Sequence, residues 1–174
     1  MNSLKSSPLI FLNPGFLYCL RNGVHISVKV LTAQLDSNKL SLTLNTTFEK
    51  PGDIIEYQFK IENTGSIDAY LKNVVVEGKT ENTDAIKLTY DVKGNDKQTT
   101  YAAGSIIGNT PQVTTTPNTT TSLLNKQTIV NEQTTTQNNY LTVALEYLTT
   151  SATVADDASA TYTLNLQYEQ TSAN

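Results

Sequence analysis

Apolar and polar residues alternate with a period of two along most of the chain. Ile55, Tyr57, Phe59 and Ile61 alternate with Glu56, Gln58 and Lys60. The same beat runs through residues 24–30, 40–44, 86–92, 141–147 and 162–168. A strand with that pattern buries one face and wets the other. Residues 71–77 read as a further strand, more continuously apolar at Val74, Val75 and Val76. Turn signals fall between these runs, at Asp36-Ser37-Asn38, Pro51-Gly52-Asp53, Asn63-Thr64-Gly65, Gly94-Asn95-Asp96 and Asp156-Asp157. No long segment keeps a helical period, and only the short piece at 125–132 is ambiguous. The predicted fold is all-β: an antiparallel, jelly-roll-like β-sandwich of roughly seven to nine strands.

Residues 96–139 break the beat. They carry three Thr-Thr-Thr runs, starting at Thr114, Thr119 and Thr134, with Pro111 and Pro117 among them. So long a stretch reads as a surface insertion holding at most a short hairpin, or as a flexible excursion. Ile106-Ile107 and Leu123-Leu124 are the apolar pairs in it that can dock on a sandwich edge. The expected organisation is an N-terminal extension, 1–22, followed by one sandwich domain, 23–174, containing this insertion.

Composition sharpens the picture. The chain has 28 threonines, nine tyrosines and no tryptophan, which favours strands. Its net charge of −4 and pI near 4.9 argue against nucleic acid as a partner. Cys19 is the single cysteine, so no internal disulfide and no multi-cysteine zinc site is available. The apolar run at 8–20 is interrupted by Asn13, Pro14 and Gly15, and falls short of the roughly twenty residues a transmembrane helix needs. No cofactor motif is present.

The most informative segment is residues 48–71, which contains Lys50-Pro51-Gly52-Asp53, an alternating strand, and then Glu62-Asn63-Thr64-Gly65-Ser66-Ile67-Asp68-Ala69-Tyr70-Leu71. This segment, with the ending Asn165-Leu166-Gln167-Tyr168-Glu169-Gln170, resembles the TasA/camelysin family of secreted bacterial surface and biofilm-matrix proteins. It is also similar to immunoglobulin-like repeat domains of bacterial surface proteins. The resemblance spans about 24–92 and 141–170, and omits the first twenty residues and the Thr-rich stretch. It implies export to the cell surface or extracellular matrix. The family opens with a signal peptide, so the 1–22 segment reads as a donor strand or a remnant leader.

Individual residues were weighed against their structural roles. Pro51 and Gly52 set a tight turn, and Asn63 with Gly65 turns the chain out of the strand, with Gly65 able to take a positive φ. Asp53 and Asp68 read as backbone-bonding side chains, with calcium as the alternative ligand of their loops. His25 reads as a solvated strand residue. Camelysin-type proteins are classed as metallopeptidases, but one histidine without an HExxH helix makes a poor zinc site. No GxSxG elbow occurs, and Cys19 lacks an obvious basic partner. Tyr57, Tyr90, Tyr147, Tyr162 and Tyr168 fall in phase with the apolar positions, which points to the core rather than to a sugar platform.

The resulting expectation is a non-enzymatic, exported structural protein of the surface or matrix. Self-association would proceed by strand addition, with no nucleic acid and with other matrix or surface proteins as further partners. The candidate assembly segment comprises Leu9, Ile10, Phe11, Leu12, Phe16, Leu17 and Leu20, an apolar run with no evident partner in its own domain; Pro14 interrupts its ladder. The alternative is an adhesin or ligand-binding module acting through the Thr-rich stretch. A camelysin-like metallopeptidase is the third reading.

Overall fold

A computed structural model describes residues 10–21, 24–25, 30–35, 40–65, 67–109, 111–115, 123–124, 128–130, 133–135, 138–149 and 158–170. These residues form strands and turns without a helix. One sheet has the order β2 (Val24–His25), β1 (Ile10–Arg21), β5 (Asp53–Asn63), β13 (Asn138–Tyr147), β7 (Ile86–Lys93) and β8 (Thr100–Ile107). The second has the order β10 (Leu123–Leu124), β6 (Ala69–Glu81), β14 (Ala158–Gln170), β4 (Ser41–Phe48) and β3 (Val30–Leu35), with β9 (Gln112–Thr115) also on β6. A separate hairpin joins β11 (Thr128–Val130) and β12 (Gln133–Thr135). Every pairing is antiparallel, and eight strands have eight or more residues. The molecule is an antiparallel, jelly-roll-like β-sandwich.

The period-two pattern explains the core directly. β5 alternates buried and half-buried positions over its full length, and β13 does the same. Ile55, Phe59, Leu141, Val143 and Leu145 point inward from the first sheet. Leu42, Leu44, Leu164 and Leu166 do so from the second. Each such side chain contributes roughly 1.5–3 kcal/mol through its removal from water. Tyr57, Tyr90, Tyr147 and Tyr162 are buried and Tyr168 packs against the core, as their phase predicts.

Two of these tyrosines sit opposite glycine. Tyr162 pairs across the ladder with Gly78, and Tyr90 pairs with Gly104. A Cβ on Gly78 would lie 2.3 Å from the Tyr162 ring; one on Gly104 would lie 2.4 Å from the Tyr90 hydroxyl. Each ring lies over bare backbone in the manner of aromatic rescue of a strand glycine. The Tyr162 hydroxyl reaches the carbonyls of Ile86, at 3.1 Å, and Gly108, at 3.0 Å.

Three expectations are refined. The strand expected at 24–30 is recorded as two pieces in different sheets, β2 and β3, with residues 26–29 outside the described set. The strand expected at 71–77 is longer; in its apolar run Val74 and Val76 are buried and Val75 is half-buried, so the run keeps the period of two, and a bulge precedes it. Gln167 pairs with Asn73 and Tyr168 with Leu71, leaving Lys72 as the extra residue. The bulge resets the phase, so Leu71 and Val74 both face inward. The 96–139 stretch contributes β8, an integral strand of the first sheet, and the short strands β9 to β12. Ile106 is buried within β8, Ile107 is exposed, and Leu124 is fully buried against the sandwich. The expected turns at Asp36 and Asp156 lie outside the described residues.

Candidate interaction surfaces

Pro51 and Gly52 form the turn that launches β5. The Asp53 amide donates to the Lys50 carbonyl at 3.2 Å, and Gly52 has φ +93°. Proline at the second position and positive-φ glycine at the third describe a type II turn. The buried Asp53 carboxylate accepts from the Glu49 amide at 3.3 Å and the Lys50 amide at 3.1 Å. Its role is to hold this turn. Asp68 lies beyond the far end of β5, half-buried before β6. Ten residues of β5 lie between Asp53 and the turn that carries Asp68, on the order of 30 Å, so the two do not share a cation.

Asn63 is the more consequential polar residue of the motif. It is fully buried at the end of β5. Its Oδ1 accepts from the Gly65 amide at 3.0 Å, which tightens the turn. Its Nδ2 donates to the carbonyls of Ile67, at 2.8 Å, and Leu124, at 3.1 Å. One side chain thus ties the β5–β6 turn to the Thr-rich stretch. The left-handed backbone of the motif belongs to Gly52.

The same stretch builds the edge of the second sheet. β9 pairs its residues 112–115 with β6 residues 76–73, and β10 pairs 123–124 with 70–69. Both run the same way along β6. Their β6 partners, 73–76 and 69–70, lie on either side of the Lys72 bulge. Beside the bulge, the Tyr70 hydroxyl donates to Glu169 Oε2 at 2.7 Å, and Lys72 pairs with Glu169 Oε1. Asn73 Nδ2 donates to Gln167 Oε1 at 3.0 Å. The Lys72 hydrogen bond, then that of Tyr70, holds the Glu169 carboxyl below the usual carboxylate range. The Glu169 bond in turn raises the Lys72 ammonium and the Tyr70 phenol. The group therefore presents a charged acceptor, an ammonium and an aromatic ring between the β6 partners of β9 and β10.

Next to this group the outer face of β14 and β4 is neutral. Outward positions 41–47 and 159–167 carry Ser41, Thr43, Asn45, Thr47, Ser159, Thr161, Thr163, Asn165 and Gln167, with no charge. Thr43 and Thr163 are bonded at 3.1 Å, and Thr161 donates to Asn45 at 2.8 Å. The outer face of the first sheet differs: Glu56, Lys60, Glu62, Lys87, Asp91, Lys93 and Glu146 stand on it.

No protein-family model and no curated protein matches the chain. Among solved structures, it is similar to TmCBM61 in complex with β-1,4-galactotriose, at 8% identity and TM-score 0.38, over 93% of this chain and 88% of that one. It is also similar to the N-terminal cellulose-binding domain of Cellulomonas fimi β-1,4-glucanase C, at 11% identity and TM-score 0.33, over 80% and 84%. At such values the functions of those proteins do not transfer to this chain.

The N-terminal segment has a partner that its sequence did not suggest. Ile10, Phe11, Leu12, Phe16, Leu17 and Leu20 lie in β1, which pairs with β5 of the same chain from Ile10–Asn63 to Arg21–Asp53. Leu9 is outside the described residues. The register shifts between Pro14 and Phe16, so a bulge at Gly15 absorbs the Asn-Pro-Gly interruption. Cys19 stands opposite Ile55 in this ladder, and His25 opposite Leu20. Among the described residues, no three His, Cys, Asp or Glu side chains gather where they could hold a metal ion, and no helix is long and apolar enough to cross a membrane. The polar group at Tyr70, Lys72 and Glu169 was missed, because only the bulge and the cross-strand register bring it together.

Proposed function

We infer that the chain is a non-catalytic binding module of the cell surface or extracellular matrix, adhesin-like in action. Its contact region is the Thr-rich stretch that contains β9 and β10, together with the polar group of Tyr70, Lys72 and Glu169. The observation that carries this reading is that β9 and β10 seat two parts of the Thr-rich stretch on β6, beside Tyr70, Lys72 and Glu169. The adjoining neutral face of hydroxyls and amides suits a neutral, polyhydroxylated polymer better than a charged one, so glycans are the first probe. The surface location rests on the TasA/camelysin resemblance.

The test compares the full chain with a variant in which residues 116–122 are replaced by a short Gly-Ser linker. Both, and a Tyr70→Ala variant, are applied to a panel of neutral glycans. Binding by the full chain that is lost in both variants, with unchanged circular dichroism, is expected. Binding that survives loop replacement refutes the reading, as does a full chain that binds none of the panel.

A second reading, strand addition, draws on β1. Its main contacts are with β5 and the two-residue β2. The same ladder formed between copies would exchange like for like, the usual route to a swapped assembly. Electron microscopy of concentrated protein tests it: fibres support exchange, and their absence at all concentrations counts against it.

A further inference from the structure

The bulge at Lys72 adds a side chain to the outer face of the second sheet. Leu71 and Val74 are buried, and the two residues between them, Lys72 and Asn73, both stand on the outer face. Plain alternation would give that face only one of the two. Tyr70, Lys72 and Asn73 of β6 thus meet Gln167 and Glu169 of β14. Bulges beside active sites commonly re-aim a side chain in this way.

The group keeps unused hydrogen-bonding capacity. A carboxylate has about four acceptor positions, and an ammonium donates through each of its N–H groups. Glu169 Oε1 accepts from Lys72 and Oε2 from Tyr70, so acceptor positions remain on Glu169 and N–H groups on Lys72. The two side chains are 44% and 48% exposed, which leaves those positions within reach of a ligand. Both stay charged at neutral pH, since their mutual bond lowers the carboxyl and raises the ammonium. Their charges cancel, so the pair has no net attraction for an ion. What it presents is a donor and an acceptor side by side. A hydroxyl suits such a pair, because one oxygen both donates and accepts. A peptide group does not, because its N–H and C=O point to opposite sides of a planar trans unit.

We propose, building on the contact region inferred above, that Lys72 and Glu169 recognise a vicinal diol of a neutral carbohydrate. One hydroxyl accepts from Lys72 Nζ and donates to Glu169 Oε1. Its neighbour on the next carbon donates to Oε2. Two oxygens on one carboxylate match two hydroxyls on adjacent carbons, as they match the paired N–H groups of a guanidinium. A sugar chain without paired hydroxyls is rejected, because the charged groups then give up water without a replacement.

Affinity electrophoresis of the full chain through long soluble polymers tests this. Glucan, mannan and galactan with 1,4 linkages carry a free diol on every internal unit; 1,3-linked glucan carries none within its chain. Periodate cleavage followed by borohydride reduction removes the diol from the 1,4-linked polymers and leaves them neutral and hydroxylated. At least one intact 1,4-linked polymer is expected to retard the chain, and 1,3-linked glucan is not. Glu169→Gln, Lys72→Met and periodate treatment should each weaken binding about tenfold or more, the value of a bond to a charged group. Circular dichroism reports the folding of both variants, and the comparison of polymers needs no variant at all. Undiminished binding to 1,3-linked glucan or to the oxidised polymers overturns the diol assignment, as does binding unchanged by both substitutions. In those cases the contact region itself still stands on the loop-replacement test. A chain retarded by none of the polymers overturns both.

Discussion

Replacing Gly78 by alanine tests whether the Tyr162 ring depends on bare backbone. The new methyl would lie 2.3 Å from Cε1, 2.6 Å from Cδ1 and 3.1 Å from the Gly108 carbonyl oxygen. Carbon atoms pack at about 3.5–4.0 Å, so the ring must retreat by roughly 1.2 Å or more. It is fully buried, and its hydroxyl is held by two carbonyls at 3.1 and 3.0 Å. Such a retreat lengthens these bonds beyond useful range. Overpacking costs about 1–3 kcal/mol, and a weakened hydrogen bond adds about 0.5–1.5 kcal/mol. Alanine itself favours a strand interior over glycine by about 0.5–1 kcal/mol. Since Gly78 does not have a positive φ, that gain is available in full. The net loss should be about 1–3 kcal/mol. In a Tyr162→Val background the ring is gone, and the same change should become neutral or stabilising. Urea denaturation followed by circular dichroism at fixed m-value gives both differences. Equal destabilisation in the two backgrounds would refute the reasoning, because the ring would then not be the obstacle.

Asp53→Ala leaves the Glu49 and Lys50 amides without their carboxylate acceptor in a buried turn; a loss of about 1–3 kcal/mol is expected in the same denaturation assay. Asn63→Ala releases Leu124, so amide exchange at residues 123–124 should accelerate at least tenfold while β13 exchange changes less. Burial pushes the Tyr162 phenol up to about 12 from an unfolded value of about 10. The folded state therefore holds its proton more tightly: that contribution is intact below about pH 10 and is lost as pH rises toward 12. Tyr162→Phe should flatten the fall of stability with pH in that window.

The residues of β5 and β13 show how far a period of two carries. Both strands, their inward faces and the core tyrosines follow from alternation alone, because a half-buried strand must present every second side chain to the core. Alternation fails where the backbone changes phase. Lys72 does this in β6, where a bulge sets the inward-facing Leu71 and Val74 three positions apart instead of two. Gly15 does it in β1, where Asn-Pro-Gly reads as a break but acts as a bulge. The β1–β2 hairpin had a readable signal, since Asn22-Gly23 joins Arg21 to Val24 and Asn-Gly is a strong hairpin dipeptide. The Thr-rich edge strands gave little signal: they alternate weakly and draw order from β6. Register was out of reach of the sequence, so the Gly78–Tyr162 and Gly104–Tyr90 pairs and the Tyr70–Lys72–Glu169 group could not be anticipated from it.

The divided edge strand on β6 has a practical consequence. β9 ends at Thr115 and β10 begins at Leu123, and their β6 partners Asn73 and Tyr70 are only three residues apart, on the order of 10 Å. A foreign peptide spliced between them would have both ends moored to the scaffold, one by β9 and the other by the buried Leu124 and its bond to Asn63. A protease cut within the graft would leave both new termini attached. The sandwich therefore offers an insertion port for epitopes or reporters between two strands seated on β6.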